Sequence, residues 1–234
     1  MPTLPAAWRL LLGLLLPARC VGCGDGGSYF CGACAASAPR LPFERCQVCA
    51  QPGPRDPCAS CALRRPAFDR VIPAYAYDGA ARNAVRRLKY ANLRALAPLM
   101  AAPMADALAE DGWPPDLLLP VPMHPAQLRR RGFNQAALLA GEIAARTDVE
   151  RADDAVARKL QGWAQARTAS REERWAQVAY AFEPRDGASS SVADRRVAIV
   201  DDVLTTGATA DAVARALKWA GVSEVAVLVF ARRI

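Results

Sequence analysis

The chain has 234 residues, of which 30 are Lys or Arg and 23 Asp or Glu, for a formal net charge of +7; 53% are hydrophobic and 23% charged. These proportions exclude a disordered, collagenous or coiled-coil chain and leave room for one medium domain with a small module, or two small domains. The single histidine, His124, excludes a His-rich metal site and a two-His proton relay. The basic balance rests on 27 Arg against three Lys (Lys89, Lys159, Lys218), and favours anionic partners without specifying them.

At the N-terminus, Trp8-Arg9 followed by Leu10 to Leu16 has the outline of a secretory core. The apolar run is well short of the roughly 20 residues that span a bilayer, and Arg19 stands where a cleavage site wants a small residue. The expectation is a short helix docked on the body, with no membrane span and a cytoplasmic location.

All eight cysteines follow, as four Cys-x2-Cys knuckles: Cys20/Cys23, Cys31/Cys34, Cys46/Cys49 and Cys58/Cys61. Two thiolates at that spacing in a tight turn can face one tetrahedral metal. Gly22, Gly24 and Gly32 supply small residues for such turns. Two four-cysteine zinc sites follow, Cys20, Cys23, Cys31 and Cys34 on one and Cys46, Cys49, Cys58 and Cys61 on the other; a cross-braced pairing of alternate knuckles fits the spacing too. An iron–sulfur cluster and disulfides are the rival chemistries. Closed all-cysteine zinc sites hold a fold. Pro39, Pro42, Pro52, Pro54 and Pro57 make this segment too turn-rich for a core of its own, so metal would supply much of its folding free energy.

Beyond about residue 65 strand-like and helix-like stretches alternate. The pattern predicts a strand at 70–77, a helix at 79–90, a longer helix at 93–110 bent at Pro98 and Pro103, a strand at 117–121 and a helix at 134–147. A strand at 197–200, a helix at 209–220 and a strand at 225–230 close the chain. This is an α/β class, a mostly parallel sheet with helices on both faces, behind a small Cys-rich module. The boundaries are 1–65 for the N-terminal helix and double zinc ribbon and 66–234 for the α/β domain. Ligands of such sheets sit at the carboxyl ends of strands.

There the sequence reads Val197-Ala-Ile-Val200, then Asp201-Asp202, then Thr205-Thr206-Gly207-Ala208-Thr209 at the start of a helix. A buried strand that ends in two acids is poorly explained by packing. Hydroxyls, backbone N–H groups and the positive helix end make an anion cradle for a phosphate, and the acids suit sugar hydroxyls and a hydrated Mg2+. The plainer alternative is a capped strand-to-helix turn with Thr209 as N-cap. Upstream, Arg129, Arg130 and Arg131 before Gly132 form a cationic loop able to clamp a pyrophosphate through bidentate contacts. Lys89 at a helix end and His124 between Pro122 and Pro125 are further phosphate-facing candidates, each with a plainer structural reading as a cap or packed ring.

Residues 197–209 resemble the 13-residue phosphoribosyl pyrophosphate (PRPP) signature of type I phosphoribosyltransferases. The resemblance implies that fold, with Asp201 and Asp202 on the ribose hydroxyls and metal, and Thr205 to Thr209 on the 5′-phosphate. Thr205 stands where 6-oxopurine enzymes usually carry an Asp. Pro120-Val-Pro-Met-His124-Pro and Leu128-Arg-Arg-Arg-Gly132-Phe-Asn-Gln135, with Leu88-Lys89-Tyr90 and Arg174 to Phe182, resemble the ComF (GntX-like) family, in which a Cys-rich zinc module precedes a phosphoribosyltransferase domain. The chain departs from that pattern at Leu160, in place of Thr, and Gln177, in place of Asn. The family implies Mg2+-dependent displacement of pyrophosphate from PRPP by an unidentified acceptor, with Asp201, Asp202 and Arg131 in catalytic roles. It also implies a link to DNA uptake, and the alternative of a non-catalytic PRPP or nucleotide sensor that binds single-stranded DNA or DNA-uptake proteins.

Overall fold

The computed structural model describes residues 17–159 and 181–234. The expected N-terminal helix, Leu160, and Arg174 to Gln177 lie outside these.

The centre is a five-stranded, wholly parallel sheet of β1 (Arg70–Ala76), β2 (Leu117–Pro120), β3 (Glu150–Arg151), β6 (Arg196–Leu204) and β7 (Glu224–Arg232), in the order β1-β7-β6-β2-β3. Between β3 and β6 in the chain, β4 (Val156–Arg158) and β5 (Phe182–Pro184) pair antiparallel as a separate ribbon. Strands covered on both faces must be apolar in every position rather than alternating, and β7 is: Val225, Val227 and Val229 enter one core, Ala226, Leu228 and Phe230 the other.

One core lies under α3 (Gly79–Tyr90), α4 (Ala97–Asp111) and α6 (Gln135–Thr147), with Leu88, Met100, Met104 and Ile143 fully buried. The other lies under the short α7 (Ala188–Val192) and under α8 (Ala208–Trp219), whose Ala212, Val213, Ala216 and Leu217 face Val197, Ile199 and Val227. α3 has the predicted bounds, with Asp78 as N-cap accepting from the Gly79 N–H at 2.8 Å. The predicted helix from Leu93 is instead a 3-10 turn at Arg94–Leu96 followed by α4, which takes Pro98 in its first turn. Proline is tolerated there because that N–H has no partner within the helix.

The two four-cysteine segments pack into the same two cores. Phe30, between the first two knuckles, meets Tyr75 and Phe230 edge-on at ring distances of 6.3 and 6.0 Å. Cys46, Val48, Ala50 and Cys61 of the second segment are buried in the α8-side core. Short helices α1 (Gly32–Ser37) and α2 (Ala59–Leu63) each carry the closing cysteine of their segment.

Candidate functional site

β6 does not stop at Val200. It continues through Leu204, so Asp201 and Asp202 lie within a strand rather than beyond its end. Asp202 is wholly buried. Its Oδ2 lies 2.8 Å from the Nζ of Lys89 on the last turn of α3, and among the described residues its Oδ1 has no hydrogen-bond partner. A buried carboxylate oxygen without a donor is costly; it marks a position where a ligand hydroxyl or cation fits.

Asp201 accepts the Asp202 N–H at 2.8 Å. Burial, reinforced by the Asp202 charge, pushes its carboxyl well above the usual carboxylate range, against the opposing pull of Lys89. Burial also works against a charged Lys89, but Asp202 and Asp201 outweigh it and raise the ammonium above its usual range. The structure therefore gathers Lys89, Asp201 and Asp202 into one charged cluster at the carboxyl end of β6, with Lys89 ion-paired to an acid.

The next residues turn into α8. Thr205 and Thr206 are exposed, and Gly207, at φ 81°, is the N-cap, so Thr209 lies inside the first turn and is not the cap. A side chain at Gly207 would be strained in that left-handed conformation, and its Cβ would lie 3.6 Å from the Phe68 ring. The Ala208 N–H donates to Thr206 Oγ1 at 3.4 Å. Exposed threonines, a close backbone turn at Gly207 and the start of α8 thus lie side by side, the chemistry of an anion site.

Two residues that hold this turn were not singled out by sequence reasoning. Asp211, nearly buried in α8, accepts the Ala67 N–H at 2.7 Å and the Arg215 guanidinium at 2.8 Å. Arg232, also buried, donates from Nη1 to the carbonyls of Thr205 (2.5 Å) and Leu204 (3.3 Å), and from Nε to the carbonyl of Cys49 at 2.9 Å. The available signals were an acid on an Ala/Val-rich helix face and an arginine closing an apolar strand, both positions that need a partner.

Arg129, Arg130 and Arg131 are the last turn of α5 (Pro125–Arg131), not a loop. Gly132, at φ 78°, closes that helix by donating to the Leu128 carbonyl at 2.7 Å. Arg131 bonds the side chain of Gln135, while Arg129 and Arg130 are exposed. Among the described residues no hydrogen bond or ion pair joins these three arginines to Asp201, Asp202 or the 205–209 turn. His124 is the N-cap of α5, its Nδ1 accepting the Ala126 N–H at 3.1 Å.

The cysteines assemble by consecutive knuckles. Within each set, Cys20, Cys23, Cys31 and Cys34, and Cys46, Cys49, Cys58 and Cys61, the four sulfurs all lie within 4.8 Å of one another, which excludes the cross-braced pairing. N–H groups of Gly22 and Cys31 point at Cys20 Sγ and that of Cys58 at Cys46 Sγ, each at 3.4 Å. Burial works to raise both thiols, but these donors outweigh it and bring Cys20 to about 6 and Cys46 to about 7. Closely grouped sulfurs with N–H donors aimed at them fit a thiolate-bound Zn2+.

Comparison with known proteins agrees with this anatomy. Residues 133–234 match the family model described as the phosphoribosyl transferase domain. Competence protein F of Haemophilus influenzae is 30% identical over 180 residues, covering 75% of this chain and 78% of that protein. DNA utilization protein YhgH of Escherichia coli O6:H1 is 27% identical over 215 residues, covering 87% of this chain and 90% of its own. Among solved structures, a purine phosphoribosyltransferase from Pyrococcus horikoshii Ot3 is 17% identical, covers 58% of this chain and 83% of that one, and superposes with a TM-score of 0.35. Among the described residues no helix is long and apolar enough to cross a membrane.

Proposed function

The chain belongs to the competence protein F/YhgH family and carries its phosphoribosyl transferase domain, and from that premise we propose that it binds PRPP with Mg2+ and transfers the phosphoribosyl group to an acceptor with release of pyrophosphate. The observation that carries this reading is Asp202: a fully buried carboxylate with one oxygen unmatched, three residues before a turn shaped for phosphate. In this reading Asp202 and Asp201 receive the ribose hydroxyls, and the N–H groups and hydroxyls of Thr205 to Thr209 receive the 5′-phosphate. Bound Mg2+ would neutralise the diphosphate as it leaves. In this reading Lys89 exchanges its contact with Asp202 for one with incoming ligand oxygens, and the arginines of α5 offer cations from the surface. The chain's contribution is placement and preset charge, with Thr205 giving no carboxylate for proton transfer to a purine. The cytoplasm supplies such a substrate and keeps cysteines reduced for metal.

The test is calorimetric binding of PRPP with Mg2+ together with release of pyrophosphate, in the wild type and in Asp201→Ala and Asp202→Ala. Binding that falls at least tenfold in both variants supports the reading, and no binding by the wild type ends it. A screen of nucleobases and small amines with labelled PRPP identifies the acceptor.

A second reading, a DNA-handling role like those in the relatives' names, is favoured by the outer face of α3. Arg82, Arg86, Arg87 and Tyr90 are all exposed there, and with Arg233 several of them line a cavity of about 660 Å3. Cations beside an exposed aromatic ring suit single-stranded DNA, through phosphate contacts and base stacking. Salt-dependent binding of an oligonucleotide, lost in the R82A/R86A/R87A variant while PRPP binding survives, supports that role; binding unchanged in that variant removes it.

A further inference from the structure

Three contacts fasten the second four-cysteine segment to the phosphate-shaped turn. Arg232 reaches from the Cys49 carbonyl to those of Leu204 and Thr205. The Ala67 N–H, just beyond Cys61, donates to Asp211 of α8, whose own N–H donates to the Gly207 carbonyl at 2.8 Å. Phe68 lies against Gly207. A cavity of about 550 Å3 opens along this seam, lined by Cys49, Cys58, Phe68, Thr205, Thr206 and Arg232. Among the described residues no carboxylate pairs with the Arg232 guanidinium; it donates to backbone carbonyls and interacts with the Cys49 side chain. A buried cation in that position needs negative charge close by. Its neighbours are four cysteines that would carry net negative charge as a zinc tetrathiolate, and a turn shaped to hold a phosphate.

We infer that Arg232 is a positioning residue that couples metal occupancy of the second cysteine set to the phosphate-binding turn, so that Zn2+ at Cys46, Cys49, Cys58 and Cys61 and PRPP at Thr205 to Thr209 bind cooperatively. With metal bound, the Cys49 carbonyl is held in place and Arg232 presents a fixed anchor to the Thr205 carbonyl. Without metal the anchor loses one end and the turn loses its set shape. Coupling of this kind is reciprocal: PRPP must tighten that zinc site by the same factor by which zinc tightens PRPP binding. Among the described residues the first set makes no such contact with the turn, and it is the internal reference. The inference rests on the PRPP reading above.

The experiment uses the full zinc-loaded chain. Zinc release to a chelator is followed with a colour indicator, with and without PRPP and Mg2+, after PRPP binding is measured by calorimetry. The expected result is that PRPP slows release of one of the two zinc equivalents about tenfold and leaves the other unchanged. Arg232→Met abolishes that protection and weakens PRPP at least tenfold, and Arg232→Lys restores part of both. If Arg232→Met does not fold, the wild-type release rates decide alone. PRPP binding without any change in zinc release overturns the coupling and leaves the PRPP reading standing; absence of PRPP binding overturns that reading, and the coupling with it.

Discussion

The two four-cysteine segments have the same ligand chemistry and nearly the same spacing, yet they are attached in different ways. The first is held largely by packing: Phe30 sits edge-on to Tyr75 and Phe230, and Asn83 donates to the Val21 carbonyl at 3.1 Å. The second, besides packing Val48 and Ala50 into the α8-side core, is tied by buried charge, through Arg232 and Asp211, to the Thr205–Gly207 turn. Apolar packing stabilises without specifying what a neighbouring loop does, whereas directional bonds from a buried guanidinium fix particular carbonyls. The first segment therefore reads as a support for the α3 side of the sheet, and the second as part of the site's frame.

Removing metal has the largest expected effect, since structural zinc modules draw about 10–16 kcal/mol from the ion. Chelation should lower the unfolding temperature of the whole chain by tens of degrees in calorimetry. Single substitutions then separate the segments: Cys20→Ser and Cys46→Ser each lose one zinc, but only Cys46→Ser weakens PRPP at least tenfold. Equal effects of the two would break the distinction. Next in size, Phe30→Ala should cost about 3–5 kcal/mol in denaturant unfolding, the usual range for a buried phenylalanine, while PRPP affinity stays within twofold. A large affinity loss would show that the first segment also frames the site.

Gly207→Ala tests the turn itself. An L-residue at φ 81° costs about 1–2 kcal/mol, and the distorted turn should bind PRPP less well; unchanged affinity would mean that the turn is not the phosphate cradle. The smallest effect lies outside both segments, at the acids of β6. The Asp201 carboxyl is raised above its ordinary 3.8, so the native chain retains a proton that the unfolded chain has released. Stability then falls as pH rises from about 4 towards the native value. Asp201→Asn should remove that fall, leaving the variant more stable than the wild type at the higher pH, measured as denaturant midpoints at pH 5 and 8. Parallel pH profiles for variant and wild type would contradict this assignment.

Local chemistry made much of this legible in advance. The helix predicted at 79–90 has those bounds in α3, and the Cys-x2-Cys repeats announced metal-binding knuckles because two thiols three residues apart can reach one ion only from a turn. The end of β6 was harder to place. Asp201 and Asp202 read as residues past a strand, because acids do not normally continue one; the strand continues because Lys89, far away in the chain, neutralises Asp202. Arg129 to Arg131 read as a loop for want of apolar periodicity, but Pro125 and the His124 cap start a helix there and Gly132 ends it.

Patterns whose partners lie within a few residues were thus set by the sequence alone: the knuckles, the α/β alternation, and the Thr-Thr-Gly turn before a helix. Tertiary structure decided which knuckles come together, which cation meets Asp202, and that Arg232 joins Cys49 to Thr205. The last two depend on buried charges finding partners 27 to 183 residues away. Their energy comes from desolvation in the finished core, which no local spacing encodes.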